Sequence, residues 1–540
     1  MIKDVIMVKK HFLLLPALLF CAVTILADNP IVQTWYTADP APMVYEGRLY
    51  LYTSHDEDVT KNNFYSMNDW KLFSTVDMVN WTDHGTIAGL KTFSWSTDNA
   101  WAPQAVERNG NFYLYVPLNN NTGAKIGVCV ADNPIGPFKD PVGRAIAQSG
   151  SMAIDPTVFV DDDGQAYLFW GNGNLRMVRL NSDMISTTGN VTSNIPMQGF
   201  TEGPWFYKRG SLYYLVYAGS GEKISYATSN APTGPWTYKG DIFGNPSIAT
   251  NHPGIVDYKG HSYCFYHNGA LPGGGSFKRS VCVEEFTYGA DGSIPKLTMT
   301  KNGPAAVATL DPFQRVEAET MAFSSGLKTE VCTDNGAGIN VSSINNGDYI
   351  KVKEVDFQDG VTSFEARVSS SVSNAKIELR IDSQTGTLLG TCDVSGASSW
   401  TTKTCQVSGG SGKHDLFMKF VGGSGDLFKF NWWKFTPKGT GIPGRKPSEN
   451  PARPDKFEVS FVTGGTKALQ LDLSQPVPQQ NLTVGMYDIS GRFITTLFSG
   501  RTQSSHLVLP LNDFRIQPGV YFIKMSLDKV VVQVKSITMQ

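Results

Sequence analysis

The sequence predicts an all-β protein: a five-bladed β-propeller, then a β-sandwich, then a second and smaller β-sandwich. Three observations carry this reading. A strand–turn–strand unit recurs five times in the first part of the chain, strand-like segments without that repeat follow, and a Pro/Gly-rich stretch sets off the last of them. With 540 residues, the chain is also too long for one ordinary core.

The N-terminus stands apart from this scheme. Lys9 and Lys10 precede an apolar run from Phe12 to Leu26 that closes on Ala27, which reads as a secretory signal peptide over residues 1–27. The run is short for a bilayer span and has no counterpart elsewhere, so the protein is expected to be secreted or cell-surface, without a membrane span. Cys21 leaves with the signal. The other six cysteines show no CxxC or zinc-type cluster, and Cys392 and Cys405, which flank one hairpin-like segment, can pair after export. A net charge of -2 gives no electrostatic basis for a nucleic acid or an anionic membrane as partner.

Residues 28–312 hold the repeat. Its copies open at Asp39-Pro40, Ala102-Pro103, Asp155-Pro156, Gly203-Pro204 and His252-Pro253. Each is a short apolar strand, a turn glycine (Gly47, Gly110, Gly164, Gly210, Gly260) and an aromatic strand such as Leu49-Tyr-Leu-Tyr52 or Phe112-Tyr-Leu-Tyr115. The prolines lie 63, 53, 48 and 49 residues apart, about the length of a propeller blade. Asp161-Asp-Asp-Gly164 has the look of a calcium loop but is explained more simply as the hairpin turn of the third copy. Residues 313–437 are strand-like without the repeat, 438–455 form a Pro/Gly-rich linker, and 456–540 alternate strands and turns.

In a propeller the first strand of every blade lines the central channel, so equivalent positions of the five copies meet at one mouth. The candidate catalytic residues are therefore Asp39, Asp155 and Glu202. Three converging carboxyl groups repel one another and raise the pKa of at least one, as a general acid requires. A single Asp before Pro, or Glu before Gly, more often serves a turn; three at matching points of a repeat point to chemistry.

With these residues in view, the chain resembles glycoside hydrolase family 43. The resemblance covers roughly Ile31 to Thr300 and rests on Thr37-Ala-Asp39-Pro, Trp101-Ala-Pro, Ile154-Asp155-Pro, Thr201-Glu202-Gly-Pro-Trp205, Asn251-His252-Pro and Phe265-Tyr-His267. It implies Asp39 as the general base that activates water, Glu202 as the general acid, and Asp155 as the residue that orients and tunes that acid. It also implies inversion of anomeric configuration and no organic cofactor. The expected substrate is plant cell-wall arabinoxylan or xylan, attacked as an α-L-arabinofuranosidase or β-xylosidase; endo-xylanase or arabinanase activity and a non-catalytic sugar-binding propeller are the alternatives. A binder would have no need of all three carboxylates.

The resemblance further suggests His252, with His267 as runner-up, as ligand of a channel calcium completed by water and carbonyl oxygens; a histidine hydrogen-bonded inside the channel is the competing reading. Arg279 resembles an arginine that reaches the substrate, with a surface ion pair as the competing reading, and Trp101 and Trp205 are expected to stack on the sugar, with one of the two in the core. Residues 313–437, with Glu317, Glu319, Asn346-Gly-Asp348 and Phe430-Asn-Trp-Trp433, resemble a family 6 carbohydrate-binding module. There Glu317, Glu319 and Asn431 match a structural calcium position, and Trp400 matches one wall of the binding cleft. Ser343 replaces the opposing aromatic and Lys429 the cleft asparagine, which predicts weak binding at that cleft. Met486-Tyr-Asp488-Ile-Ser-Gly491-Arg492 and Gly519-Val-Tyr521 resemble the C-terminal sorting domains of Bacteroidetes-type secretion, implying a secretion apparatus as partner.

Overall fold

The computed structural model describes residues 29–439, apart from 121, 149–151, 336 and 337, together with strand segments between 457 and 539. The segment read as a signal peptide, linker positions 440–455 and the motif positions 489–492 lie outside the described residues. Among the described residues the one helical element is the 3-10 turn Leu90–Thr92, and no helix is long and apolar enough to cross a membrane.

Each sequence repeat folds as the first two strands of an antiparallel sheet. The pairs are Tyr36–Tyr45 with Arg48–Asp56, Gln104–Arg108 with Asn111–Asn120, Thr157–Val160 with Ala166–Trp170, Phe200–Arg209 with Leu212–Gly219, and Gly254–Tyr258 with His261–Asn268. In three of the five hairpins both turn residues have positive φ (Glu46 47° and Gly47 77°; Asn109 54° and Gly110 77°; Lys259 49° and Gly260 85°), the turn whose twist matches the strands it joins. The Asp161 turn closes as a hairpin, with the Gly164 N–H donating to the Asp161 carbonyl at 2.8 Å.

The first strands lie side by side around a channel, in the ring order of blades five, one, two, three and four. Reciprocal bonds between Gln104 and the Val158 backbone (2.8 and 3.3 Å) tie blade two to three, and the Trp205 indole N–H on the Ile255 carbonyl (2.9 Å) ties four to five. The N-terminal segment runs along the outer strand of blade five: the Ile31 N–H reaches the Val281 carbonyl (2.9 Å), and the Asn29 side chain bonds the Val283 backbone in both directions (3.0 and 3.1 Å). It thus covers an edge that would otherwise carry unpaired backbone groups.

Residues 316–437 form a sandwich of a six-stranded and a five-stranded sheet around a core that includes Phe364, Phe420, Phe430, Trp433 and Phe435. The boundary expected at residue 312 falls inside one compact unit that ends at residue 438. Thr320–Met321 pairs with Trp81–Gly89 and becomes the fifth strand of blade one. Around it the buried Asp83 accepts from the Trp35 indole (3.1 Å) and the Thr329 hydroxyl (2.5 Å), and Asn80 bonds the Lys353 backbone in both directions (2.9 and 2.8 Å). The repeat could not announce this contact, since Thr320, Thr329 and Lys353 lie outside it.

The second unit, 439–540, has its own core of Leu469, Leu471, Val484, Met486, Ile523 and Met525. A three-stranded and a four-stranded antiparallel sheet enclose it, as the expected small sandwich requires.

Candidate active site

The three carboxylates are placed by backbone that ordinary strand geometry would not supply. The register of blade one shifts between Ala38 and Ala41, and that of blade four between Phe200 and Trp205, so that Asp39 and Glu202 both sit at bulges that re-aim side chains. The residue before the aligned proline is left-handed in three blades: Asp39 (φ 53°), Asp155 (58°) and Gly203 (59°). Such φ values are uncommon for residues with a Cβ, although aspartate tolerates them better than most. Gly203 is required on two counts, because a Cβ there would also stand 3.1 Å from His252 Nδ1. Proline fits each bulge, having no N–H to leave unpaired.

All three carboxylates line one cavity of about 130 Å³ at the channel mouth, together with Phe64, Tyr65 and Trp101. Asp39 is buried. Its Oδ2 accepts from the Ser54 hydroxyl at 2.5 Å and its Oδ1 from Arg279 Nη1 at 2.9 Å. Burial alone would raise its pKa, but the Arg279 guanidinium, then His267 and His252, then the Ser54 hydroxyl outweigh burial and hold the carboxyl at about 2. The two nearby histidines are pushed by burial to about 4, so above that pH they are neutral and Arg279 carries the effect.

Glu202 is in the opposite state. Burial, followed by the charges of Glu222 and Asp39, lifts its carboxyl to about 7 against the pull of the Asn172 amide, which donates to Oε2 at 2.7 Å. Asp155 is pushed up as well, by burial and then by Glu202 and Asp39. Its Oδ2 accepts the Gly203 N–H at 2.9 Å, which fixes the backbone one residue beyond Glu202. One cavity therefore presents an ionised carboxylate and a protonated carboxylic acid at the same pH, the division of labour that acid–base hydrolysis of a glycosidic bond needs.

Several expectations about neighbouring residues change. Trp205 is core: only 6 % exposed, it spends its indole N–H on the Ile255 carbonyl, and Trp101 is the tryptophan that lines the cavity. Arg279 lines the cavity, and its donors are taken up within the protein. Nε and Nη2 bond Asp56 (both 2.9 Å), Nη1 and Nη2 bond Asp39 (2.9 and 3.4 Å), and Nη1 also reaches the Thr250 hydroxyl (3.2 Å). All five N–H groups of the guanidinium are thereby engaged.

His267 cannot ligate a metal as it stands: Nδ1 accepts the Asp39 N–H (3.0 Å) and Nε2 donates to the Thr250 carbonyl (2.7 Å). His252 Nδ1 lies 3.9 Å from Asp39 Oδ1. Among the described residues the only convergence of three possible ligand atoms is His55, Glu57 and Asp69, where Lys71 Nζ already stands 3.3 Å from Asp69. Among the described residues no cluster of three side-chain ligand atoms includes His252.

In the second domain, Glu319 is buried and its Oε2 has no partner, an arrangement that an oxygen-seeking cation would satisfy. Asn431 is buried beside Asp334 (3.0 Å), and Glu317 is held only by the exposed Arg315 (2.8 Å). These three residues fit a calcium site. Ser343 and Lys429 line a serine-rich groove of about 310 Å³ in which Lys429 pairs with Glu330. Trp400 is not among the groove's lining residues and donates to the Thr333 hydroxyl at 3.0 Å.

Sequence reasoning missed Ser54, Asp56, Asn172 and Thr250. A signal existed for two of them: strand Arg48–Asp56 ends in Thr53-Ser-His-Asp56, four polar residues that are all buried. Buried polar groups in such a run require partners, and Ser54 lies opposite Ala38, next to Asp39.

Comparison with known proteins agrees with this geometry. Residues 27–294 match the glycosyl hydrolases family 43, and residues 317–437 match the carbohydrate binding module (family 6). An arabinoxylan arabinofuranohydrolase of Bacillus subtilis (strain 168) is 35 % identical over 76 % of this chain and 93 % of its own length. One of Paenibacillus polymyxa is 33 % identical over 76 % of this chain and 74 % of its own length. The crystal structure of a family 43 arabinoxylan arabinofuranohydrolase from Bacillus subtilis, in complex with cellotetraose, superposes with a TM-score of 0.68 at 33 % identity, covering 76 % of this chain and 97 % of that one. With a five-bladed propeller, two carboxyl groups in opposite ionisation states and relatives that span most of its length, the chain belongs to glycoside hydrolase family 43 and carries a family 6 carbohydrate-binding module.

Proposed function

We propose that this hydrolase removes α-L-arabinofuranosyl side groups from arabinoxylan with inversion, using Asp39 as general base, Glu202 as general acid and Asp155 to orient the acid. The opposite ionisation of Asp39 and Glu202 on one cavity carries the reading. The sugar is taken from the relatives named as arabinoxylan arabinofuranohydrolases. In the mechanism, Asp39 takes a proton from water as it attacks the anomeric carbon, while Glu202 gives its proton to the departing glycosidic oxygen. Asp155 keeps Glu202 in place through the Gly203 amide, whose N–H its Oδ2 accepts.

Incubating the purified protein with arabinoxylan and following the first minutes by NMR tests this. Free arabinose should appear first as the β-anomer. Xylose as the main early product would make the enzyme a xylosidase, and an early α-anomer would rule out inversion.

Calcium in the second domain, held by Glu317, Glu319 and Asn431, is part of the same proposal. The cation would act on stability and not on the reaction, by neutralising the unpartnered Glu319 oxygen. A cation bound at a hundredfold excess over its Kd stabilises by about 2.7 kcal/mol, so chelation should lower the Tm by ~3 °C or more, with recovery on adding calcium. An unchanged Tm in EGTA would refute the site.

A further inference from the structure

Asp56 has no part in the acid–base scheme, yet it is tied to that scheme more firmly than any other residue outside it. It is fully buried at the end of strand Arg48–Asp56, behind the cavity and not among its lining residues. Its carboxylate takes three donors from one residue: Oδ2 accepts the Arg279 backbone N–H (2.8 Å) and Nε (2.9 Å), and Oδ1 accepts Nη2 (2.9 Å). The opposite edge of the same guanidinium faces Asp39, and the Tyr65 ring covers it with the centroid 4.6 Å from Cζ.

Two carboxylates thus divide one cation. A guanidinium paired with Asp39 alone would neutralise it and form a closed two-pronged pair, the most stable arrangement open to both groups and a poor one for a base that has to accept a proton. With Asp56 present, the cluster keeps a net negative charge, and the arginine is held at the angle where it supports Asp39 chiefly through one oxygen. We propose that Asp56 is a positioning residue for the reaction: by fixing Arg279 and taking a share of its charge, it keeps Asp39 available as a base. This rests on Asp39 being the base. The other groups facing Asp39 are Ser54, His252, His267, Tyr65, Asp155 and Glu202; the histidines are neutral at working pH, and none of these groups holds the guanidinium in the way Asp56 does.

The test uses the full chain and compares Asp56→Asn, Asp56→Glu and Asp39→Asn on 4-nitrophenyl α-L-arabinofuranoside and on arabinoxylan. Asp56→Asn keeps the shape and removes the charge, so Arg279 should close on Asp39: kcat falls ~30-fold or more, within the range of an impaired general base, while KM stays within about threefold because Asp56 does not reach the sugar. The alkaline limb of the pH profile should stay where the parent has it, since Glu202 is untouched. Asp56→Glu returns the charge one methylene out of place and should recover part of the lost kcat. A kcat for Asp56→Asn within twofold of the parent, or a loss expressed in KM alone, would overturn the proposal. If Asp56→Asn shows no cooperative melt, Asp56→Glu decides: a fall in kcat at constant KM supports the proposal, and parental kcat sinks it. Asp39→Asn separates the two readings, because activity retained there removes the base assignment itself, whereas an inactive Asp39→Asn beside a parental Asp56→Asn removes only the role of Asp56.

Discussion

Asp39→Asn is expected to abolish turnover on every glycoside, whatever its leaving group. The substitution changes almost nothing in size, so Ser54 and Arg279 keep a partner, but the amide cannot take a proton from water. Arg279 holds the native carboxyl at about 2, so the base is ionised at every pH where the protein is used. A positioned general base contributes roughly 10²–10⁴-fold, and the loss should approach the upper end because the other two carboxyls on the cavity, Asp155 and Glu202, are both pushed up by burial, where Asp39 is held down by Arg279. A better leaving group does not repair the attack of water, so kcat on 4-nitrophenyl arabinofuranoside and on arabinoxylan should fall alike. Residual activity within tenfold of the parent on either substrate would exclude Asp39 as the base.

Glu202→Gln behaves differently. Its loss, ~10²-fold or more on arabinoxylan, should shrink on 4-nitrophenyl arabinofuranoside, whose leaving group departs with little protonation. The pH profile gives a second signature. Glu202 works as the protonated acid and its carboxyl sits at about 7, so parental kcat/KM should decline as pH rises through that value. Toward acid it should stay level until the fold itself gives way, because Asp39 is not protonated until about 2. In Glu202→Gln the alkaline limb should vanish, as glutamine has no proton to lose. A limb that persists in the variant would assign it to another group, and equal sensitivity of both variants to leaving-group acidity would reject the division of roles.

Much of this architecture is legible in the chain because a propeller writes its period into the sequence. The five X-Pro starts and the turn glycines mark the hairpins, and the channel then follows from closure of the ring, which brings Asp39, Asp155 and Glu202 to one cavity. What the repeat cannot encode is which side chains answer a buried charge. Arg279 was legible as a site residue, yet its direction was not. That direction depends on Asp56, which precedes it by 223 positions and meets it only when blade five closes on blade one. Which of Trp101 and Trp205 is the core tryptophan was hidden for a related reason: Trp205 stands three residues from Glu202, but strand alternation after the bulge turns it into the wall between blades four and five. His267 reads as a metal ligand in sequence and proves to be a backbone clamp, a distinction that rests on where the Asp39 N–H and the Thr250 carbonyl point.

The strand Thr320–Met321 bears on how this enzyme can be taken apart. Domain dissection usually assumes that a sugar-binding appendage can be cut away while the catalytic portion stays as it was, so that any lost activity measures targeting to polymer. Here a cut near residue 312 would strip the outermost strand from blade one, bare the edge of Trp81–Gly89 and take Thr329 away from the buried Asp83. Such a fragment is a damaged propeller before it is an untargeted one. Its shortfall on a small soluble arabinoside, which needs no targeting, would measure that damage, and only the excess loss on insoluble arabinoxylan would belong to the appendage.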